Sequence, residues 1–287
     1  MTRIKRKNSL DYLEISNANA QARIALQGAH LFYFQTKGKK PLLWLSESSY
    51  FDKGKPIRGG VPICWPWFGA HKSDKSLPNH GFARTSLWEH IAMQEDEQET
   101  RVTLRLTSSE ETRRLWPFDF ELTLEIGVGA QLRLSLKTTN TGNKAFCISQ
   151  ALHSYFAISD ISKVYLEGLE GKKYYNKVDN SYGNIQEGRL CFDQETDRIY
   201  EEASASIMLR DADETTVISS EGSHTAVVWN PGEALANKMA DLSDYRHMLC
   251  IESANALEDE PLIEPNQSYT LTATIAQEQV ATSISPA

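Results

Sequence analysis

Three successive segments constrain this chain more than any other feature, because each alternates apolar and polar residues with a period of two. In TRVTLRLTS, Val102, Leu104 and Leu106 alternate with Thr103 and Arg105. In FELTLEIGVG the apolar positions are Phe120, Leu122, Leu124 and Ile126, and in AQLRLSLKTTN they are Leu132, Leu134 and Leu136. Successive side chains of a strand point to opposite faces, so this spacing predicts antiparallel strands with one face buried and one face wet. The GVGAQ stretch predicts a hairpin turn between the second strand and the third.

The rest of the chain continues in kind. ARIALQGAHLFYF (22–34) reads as two strands about Gly28, and SASIMLRDADETTVISS as a hairpin around Asp211–Glu214. Further strands are expected in AFCISQALHSYFAI, TAVVWN, HMLCIESAN and SYTLTATIAQ, with a polar, Gly- and Asn-spaced region over 167–188. Only PGEALANKMADL (231–242) predicts a helix, of about three turns after a Pro–Gly break. Strand and helix do not alternate, which disfavours parallel α/β architectures. No repeat, linker or low-complexity block interrupts the pattern. The expectation is an all-β chain, with residues 1–287 forming one large antiparallel β-sandwich.

Composition bounds the function. With 40% hydrophobic and 24% charged residues the chain can build a full core. A net charge of −8 argues against nucleic acid or an anionic membrane surface as partner. The four cysteines, Cys64, Cys147, Cys191 and Cys250, form no CxxC pair, as expected of a reduced, cytoplasmic protein. No run approaches the roughly 18 apolar residues of a membrane span, and the basic start lacks the apolar core of a secretory signal. A monomer acting on a small molecule is the expectation.

The richest stretch is RGGVPICWPWFGAHKSDKSLPNHGFAR, from Arg58 to Arg84. Its glycines and prolines break regular structure, yet Trp65, Trp67 and Phe68 exceed what a solvent loop needs. Arg58 and Arg84 could be surface ion pairs. Beside Gly59–Gly60 and Gly81 they are also suited to a ligand anion, which arginine binds in bidentate fashion. His153, in LHSYF, shares a strand face with Tyr155; a structural role and a catalytic one both fit. Glu252, in MLCIESAN, is a carboxylate among apolar neighbours, and such a group must be paired or hydrogen-bonded. Shifted buried carboxylates are common at acid/base sites. Asp197, in TDRIY, could be a plain turn residue. There is no GxxxxGK[ST], GxGxxG, GxSxG or HExxH, and the seven histidines show no metal-ligand spacing. What remains is acid/base chemistry on a small molecule without metal or cofactor, or binding alone.

RGGVPICWPWFG, NHGFAR, LHSYF, DRIY and CIESAN occur in that order, and the chain thereby resembles the hexose-6-phosphate mutarotases. These glucose-6-phosphate 1-epimerases are a branch of the aldose 1-epimerase superfamily. The resemblance implies the galactose mutarotase-like supersandwich and interconversion of the α and β anomers of an aldohexose 6-phosphate. It implies His153 as general acid and Glu252 as general base, with Arg58 and Arg84 holding the sugar phosphate. Asn79, where relatives often carry Gln, and its neighbour His80 fall at the sugar contact, as does the acidic Asp197. Three other readings stand beside it. One is an epimerase of unphosphorylated aldoses, and another is a non-catalytic carbohydrate-binding sandwich using Trp65, Trp67 and Phe68. The third is a glycosidase pairing Glu252 with Asp197 or Asp241.

Overall fold

The structure is a computed structural model, and it describes residues 2–212 and 214–279. The alternating segments form three adjacent strands, next to one edge, of a nine-stranded antiparallel sheet. Its strands run in the order Leu190–Cys191, Tyr165–Glu167, Ser206–Asp211, Glu214–Glu221, Ser268–Gln279, Leu132–Asn140, Phe120–Gly129, Glu99–Thr107 and Glu89–Glu95. Each predicted inward residue, from Val102 through Leu136, is buried. The edge strand Glu89–Glu95 is mostly exposed and rich in polar residues, which discourages pairing with another chain. The hairpin about Asp211–Glu214 forms with Asp211 opposite Glu214, and Asp213 itself lies outside the described residues.

A second sheet of eight strands faces the first. Its order is Ser181–Ile185, Lys173–Asn176, Thr196–Tyr200, Thr225–Asn230, Met248–Asn255, Gln150–Leu152 and Ile63–Cys64, with Tyr155–Ala157 also pairing with Met248–Asn255. One face of this sheet presents Leu152, Tyr200, Ala226, Val228, Leu249 and Ile251 to the same apolar cluster that holds Leu104, Leu124 and Leu134. The two sheets therefore share one core. A four-stranded sheet of Thr2–Lys7, Leu10–Ser16, Ala20–Ala25 and His30–Thr36 adds Leu13, Ile24 and Phe34 to it.

The Arg58–Arg84 stretch is pinned by its glycines, though not to admit a ligand. Gly60 (φ 64°) lies so close to the next segment that a Cβ there would meet the Leu31 carbonyl oxygen at 2.3 Å. A Cβ on Gly81 (φ 68°) would meet the Trp65 carbonyl oxygen at 2.0 Å. Both positions combine a left-handed backbone with a chain crossing that only glycine fits. Trp65 is fully buried, edge-on to Phe82 and Trp116, and its Nε1 donates to Thr138 Oγ1 at 3.0 Å. The aromatic loop thus fills core beneath the site.

Two local expectations are corrected. The helix expected over 231–242 is confined to Gly232–Ala236. Beyond it the chain tightens into turns, with Lys238 N–H bonding Leu235, Met239 N–H bonding Ala236 and Leu242 N–H bonding Met239. A helical turn at Glu110–Leu115 was not expected. It starts at a capping box in which Ser109 and Thr112 satisfy each other's backbone N–H.

Candidate active site

The second face of the eight-stranded sheet carries the candidate site. Cross-strand pairs place Asp197 beside Trp229, Ile199 beside Val227, Val227 beside Glu252, and Trp229 beside Cys250. Most of this face is apolar: Cys64, Ala151, Ile199, Val227 and Ala254 form one small cluster, and Trp44, Tyr155, Met248 and Cys250 another. Between them lies a polar strip.

His153 occupies a two-residue break between Gln150–Leu152 and Tyr155–Ala157, where a continuous strand was expected. The register on both sides of the break is the same, Leu152 facing Ser253 and Tyr155 facing Cys250. His153 therefore stands opposite Glu252, and residues opposite each other in an antiparallel pair share a face. Their side chains meet, with Nε2 of His153 3.3 Å from Oε1 of Glu252. The imidazole is fixed by stacking on Tyr155 (centroids 4.9 Å apart, planes 13°) and by edge contacts with His80 and Trp229.

Burial dominates the electrostatics of this pair. Glu252 is 2% exposed and His153 8%. Desolvation raises the Glu252 carboxyl well above its ordinary range, with Lys177 opposing and Asp197 reinforcing the shift. Desolvation likewise holds His153 well below its ordinary value, helped by His80, Arg58 and Arg84. Between those limits the two groups hold one proton. The neutral pair and the carboxylate–imidazolium pair then differ only in where that proton sits. Glu252 Oε2 and His153 Nδ1 make no hydrogen bond within the protein, so both retain capacity for a ligand.

The walls come from distant segments. Arg58, Phe68, His80, Lys177, Asp197, Trp229 and Met239, with Val227 beneath, surround the pair in a pocket of about 210 Å³. His80 has a left-handed backbone (φ 64°). Its Nδ1 accepts the Gly69 N–H at 3.2 Å, which leaves the ring proton on Nε2. Burial, with Arg84, Lys177 and Arg58, lowers its pKa to about 3, so it stays a neutral donor. Arg58 is held by Asp241 (Nη2 to Oδ2 3.1 Å) and donates through Nη1 to Tyr155 Oη at 2.9 Å. Asp197 is paired with Lys177, Nζ to Oδ2 2.8 Å. Its pKa is raised because burial outweighs that pair.

Of the expected site residues, the fold brings together His153, Glu252, Arg58, His80 and Asp197. Arg84 and Asn79 are not among the residues lining the pocket: Arg84 Nη2 donates to the Asn79 carbonyl at 2.7 Å, and Asn79 is exposed. Trp65 and Trp67 are buried, and of the three loop aromatics only Phe68 lines the pocket. Sequence reading missed Lys177, Trp229, Met239 and the tie from Asp241 to Arg58. Trp229 was legible in TAVVWN, where it shares a strand face with Val227. Lys177 follows the strand Lys173–Asn176, one of two strands inside the region 167–188 that polar composition concealed.

A buried carboxyl–imidazole pair in a small pocket on a sandwich sheet is suited to proton transfer on a small molecule. Residues 11–276 match the aldose 1-epimerase family, and the chain belongs to that family of isomerases. It is 35% identical over 270 residues to an Escherichia coli protein provisionally named glucose-6-phosphate 1-epimerase, covering 92% of this chain and 90% of the relative. A Salmonella typhimurium protein of the same provisional name is 37% identical over 266 residues, covering 91% and 88%. The crystal structure of a Salmonella typhimurium protein, described provisionally as a mutarotase, superposes with a TM-score of 0.91 at 35% identity. That match covers 97% of this chain and 94% of the other. The β-sandwich expected from the residues, of the galactose mutarotase-like type that the resemblance implies, is thereby established.

Proposed function

We propose that the chain interconverts the α and β anomers of an aldohexose 6-phosphate, D-glucose 6-phosphate first among them. Glu252 acts as base and His153 as acid. The observation that carries this reading is the 3.3 Å pairing of His153 with Glu252 in a pocket whose rim holds the cations Arg58 and Lys177. The names of the Escherichia coli and Salmonella relatives support the phosphorylated substrate.

The chemistry follows from the one-proton pair. The opposed shifts seat the shared proton on Glu252 at rest. Its transfer to His153 across the 3.3 Å contact gives the reactive form, in which the Glu252 carboxylate takes the C1 hydroxyl proton and the C1–O bond becomes a carbonyl. The bond from C1 to the ring oxygen breaks, and the imidazolium delivers its proton to that oxygen. After rotation about C1–C2 the steps reverse and the ring closes on the other face. Protons move and no net oxidation occurs, so the sequence of steps calls for no redox group. His80 Nε2–H and the Asp197 carboxylate are placed to hold sugar oxygens, and Arg58 to bind the phosphate. Arg84 and Asn79 take their implied roles only if the loop carrying them turns toward the ligand.

The glycosidase reading fits the geometry less well. Asp241 is engaged by Arg58 and Asp197 by Lys177, which leaves Glu252 paired with an imidazole rather than a second carboxyl. The four cysteines are unbridged, in keeping with a reducing compartment such as the cytoplasm. We read the chain as acting as a monomer. The test is exchange-spectroscopy NMR on glucose 6-phosphate at anomeric equilibrium. Acceleration above the uncatalysed rate, abolished in Glu252→Gln, is the expected result; no acceleration sinks the proposal.

A further inference from the structure

The site pocket opens beside a larger cleft of about 650 Å³, lined among others by Trp67, Lys72, Lys75, Tyr175 and Tyr182. Two residues line both cavities, Phe68 and Lys177. They form the threshold. Pockets for drug-sized ligands run to roughly 300–1,000 Å³, so a site of about 210 Å³ accommodates a hexose ring and little more. A ring seated with C1 over His153 and Glu252 has to extend its phosphoryl arm past the pocket wall.

The cations near that threshold differ chiefly in where they stand, and of them Lys177 alone lines both cavities. Lys72 is paired with Glu260 at 2.6 Å, and Lys75 donates to the His71 carbonyl. The Arg58 guanidinium is shared between Asp241 and Tyr155, and Arg84 is turned to the Asn79 carbonyl. Lys177 is about a third exposed, with its ammonium 5.7 Å from the centre of the Phe68 ring. Asp197 takes one of its three N–H donors. The remaining two are free to meet an anion without breaking the ion pair. The backbone aims the side chain as well, since Lys177 N–H bonds the Asp197 carbonyl at 2.8 Å and extends the strand pairing by one residue.

We propose that Lys177, tethered by Asp197 at the junction of pocket and cleft, binds the phosphoryl group of the substrate and sets the preference for phosphorylated over free hexoses. This rests on the function proposed above and adds a residue to it. Asp197 then has two tasks, orienting the lysine on one side and receiving sugar hydroxyls on the other.

The experiment compares wild type, K177M and K177R by exchange-spectroscopy NMR on glucose 6-phosphate and on glucose, with inorganic phosphate as competing ligand. Loss of a charge-assisted contact predicts that K177M raises KM for glucose 6-phosphate roughly tenfold with kcat changed by less than about twofold. The preference for the phosphorylated sugar and the inhibition by phosphate weaken by a similar factor, and K177R recovers most of both. Equal losses on both sugars with phosphate inhibition unchanged would show that Lys177 serves only to hold Asp197. That outcome overturns the inference and leaves the proposed function standing. A wild type that fails to accelerate glucose 6-phosphate anomerisation removes both.

Discussion

The strand Met248–Asn255 is buried along its whole length, yet its two faces do opposite work. Leu249 and Ile251 enter the main core, where they join a large apolar cluster and burial stabilises the chain. Cys250 and Glu252 enter the other face, where burial of a carboxyl costs free energy and is tolerated because His153 stands opposite. One strand, one alternation and two environments separate stability from chemistry. Substitutions at its core-facing positions therefore act on packing, whereas one at Glu252 acts on the proposed chemistry and on the pH dependence of stability.

The sharpest break of this comparison is Glu252→Gln. Removing the proposed base should lower the anomerisation rate by about 10²–10⁴-fold, read by exchange-spectroscopy NMR. The same variant should be more stable than wild type at neutral pH. The folded Glu252 pKa lies above its ordinary 4.5, so its contribution is fully present below pH 4.5 and is lost as pH rises through the folded value. The melting-temperature difference between variant and wild type should therefore grow with pH, by about 2–4 °C for each kcal/mol recovered. No gain above pH 4.5 would contradict the account of the buried carboxyl.

Its neighbour on the core face gives the converse. Ile251 is 1% exposed, and Ile251→Ala should cost about 2–5 kcal/mol by denaturant titration. A loss below 1 kcal/mol would show that this face is not close-packed.

Buried histidine outside the polar strip sets an acid limit to the fold. His30 Nε2 bonds the Gly59 carbonyl at 2.8 Å, and burial lowers its pKa to about 4. A depressed pKa contributes stability above 6.5 that is lost as pH falls toward 4, on the order of 3 kcal/mol over that window. His30→Gln should flatten the fall, measured as urea midpoints at pH 7 and pH 4.5. An unchanged acid slope would assign the loss to other groups.

The smallest effect concerns the pair itself. A raised Glu252 and a lowered His153 keep one proton between them across neutral pH. The kcat/KM profile should be a broad plateau, falling in acid when the pair gains a second proton and in alkali when it loses the first. A narrow bell centred on one pKa would mean that the two groups titrate independently.

Much of this was legible in the residues. Period-two spacing located three adjacent strands because half-buried sheets impose it locally. Glu252 and His153 stood out as polar groups at apolar positions, and alternation placed His153 with Tyr155. The glycines of Arg58–Arg84 were legible as necessary but misread in purpose, since the segments that cross Gly60 and Gly81 are remote or close only in space. The early end of the helix at Ala236 and the strands within 167–188 escaped for a related reason. Their conformations are set by what they pack against rather than by propensity.

By itself, then, the sequence determined the layers and the buried faces, and it marked His153 and Glu252 as candidates for the proposed acid and base. The tertiary structure decided who meets whom. Arg58 is tied by Asp241, 183 residues away. Lys177 reaches Asp197 only through the pairing of strands from a polar hairpin, and the His153–Glu252 contact exists because two distant strands keep one register across a break. Local periodicity records which side of a strand is buried. It carries no information on loop closure over such separations, and the site is assembled from those closures.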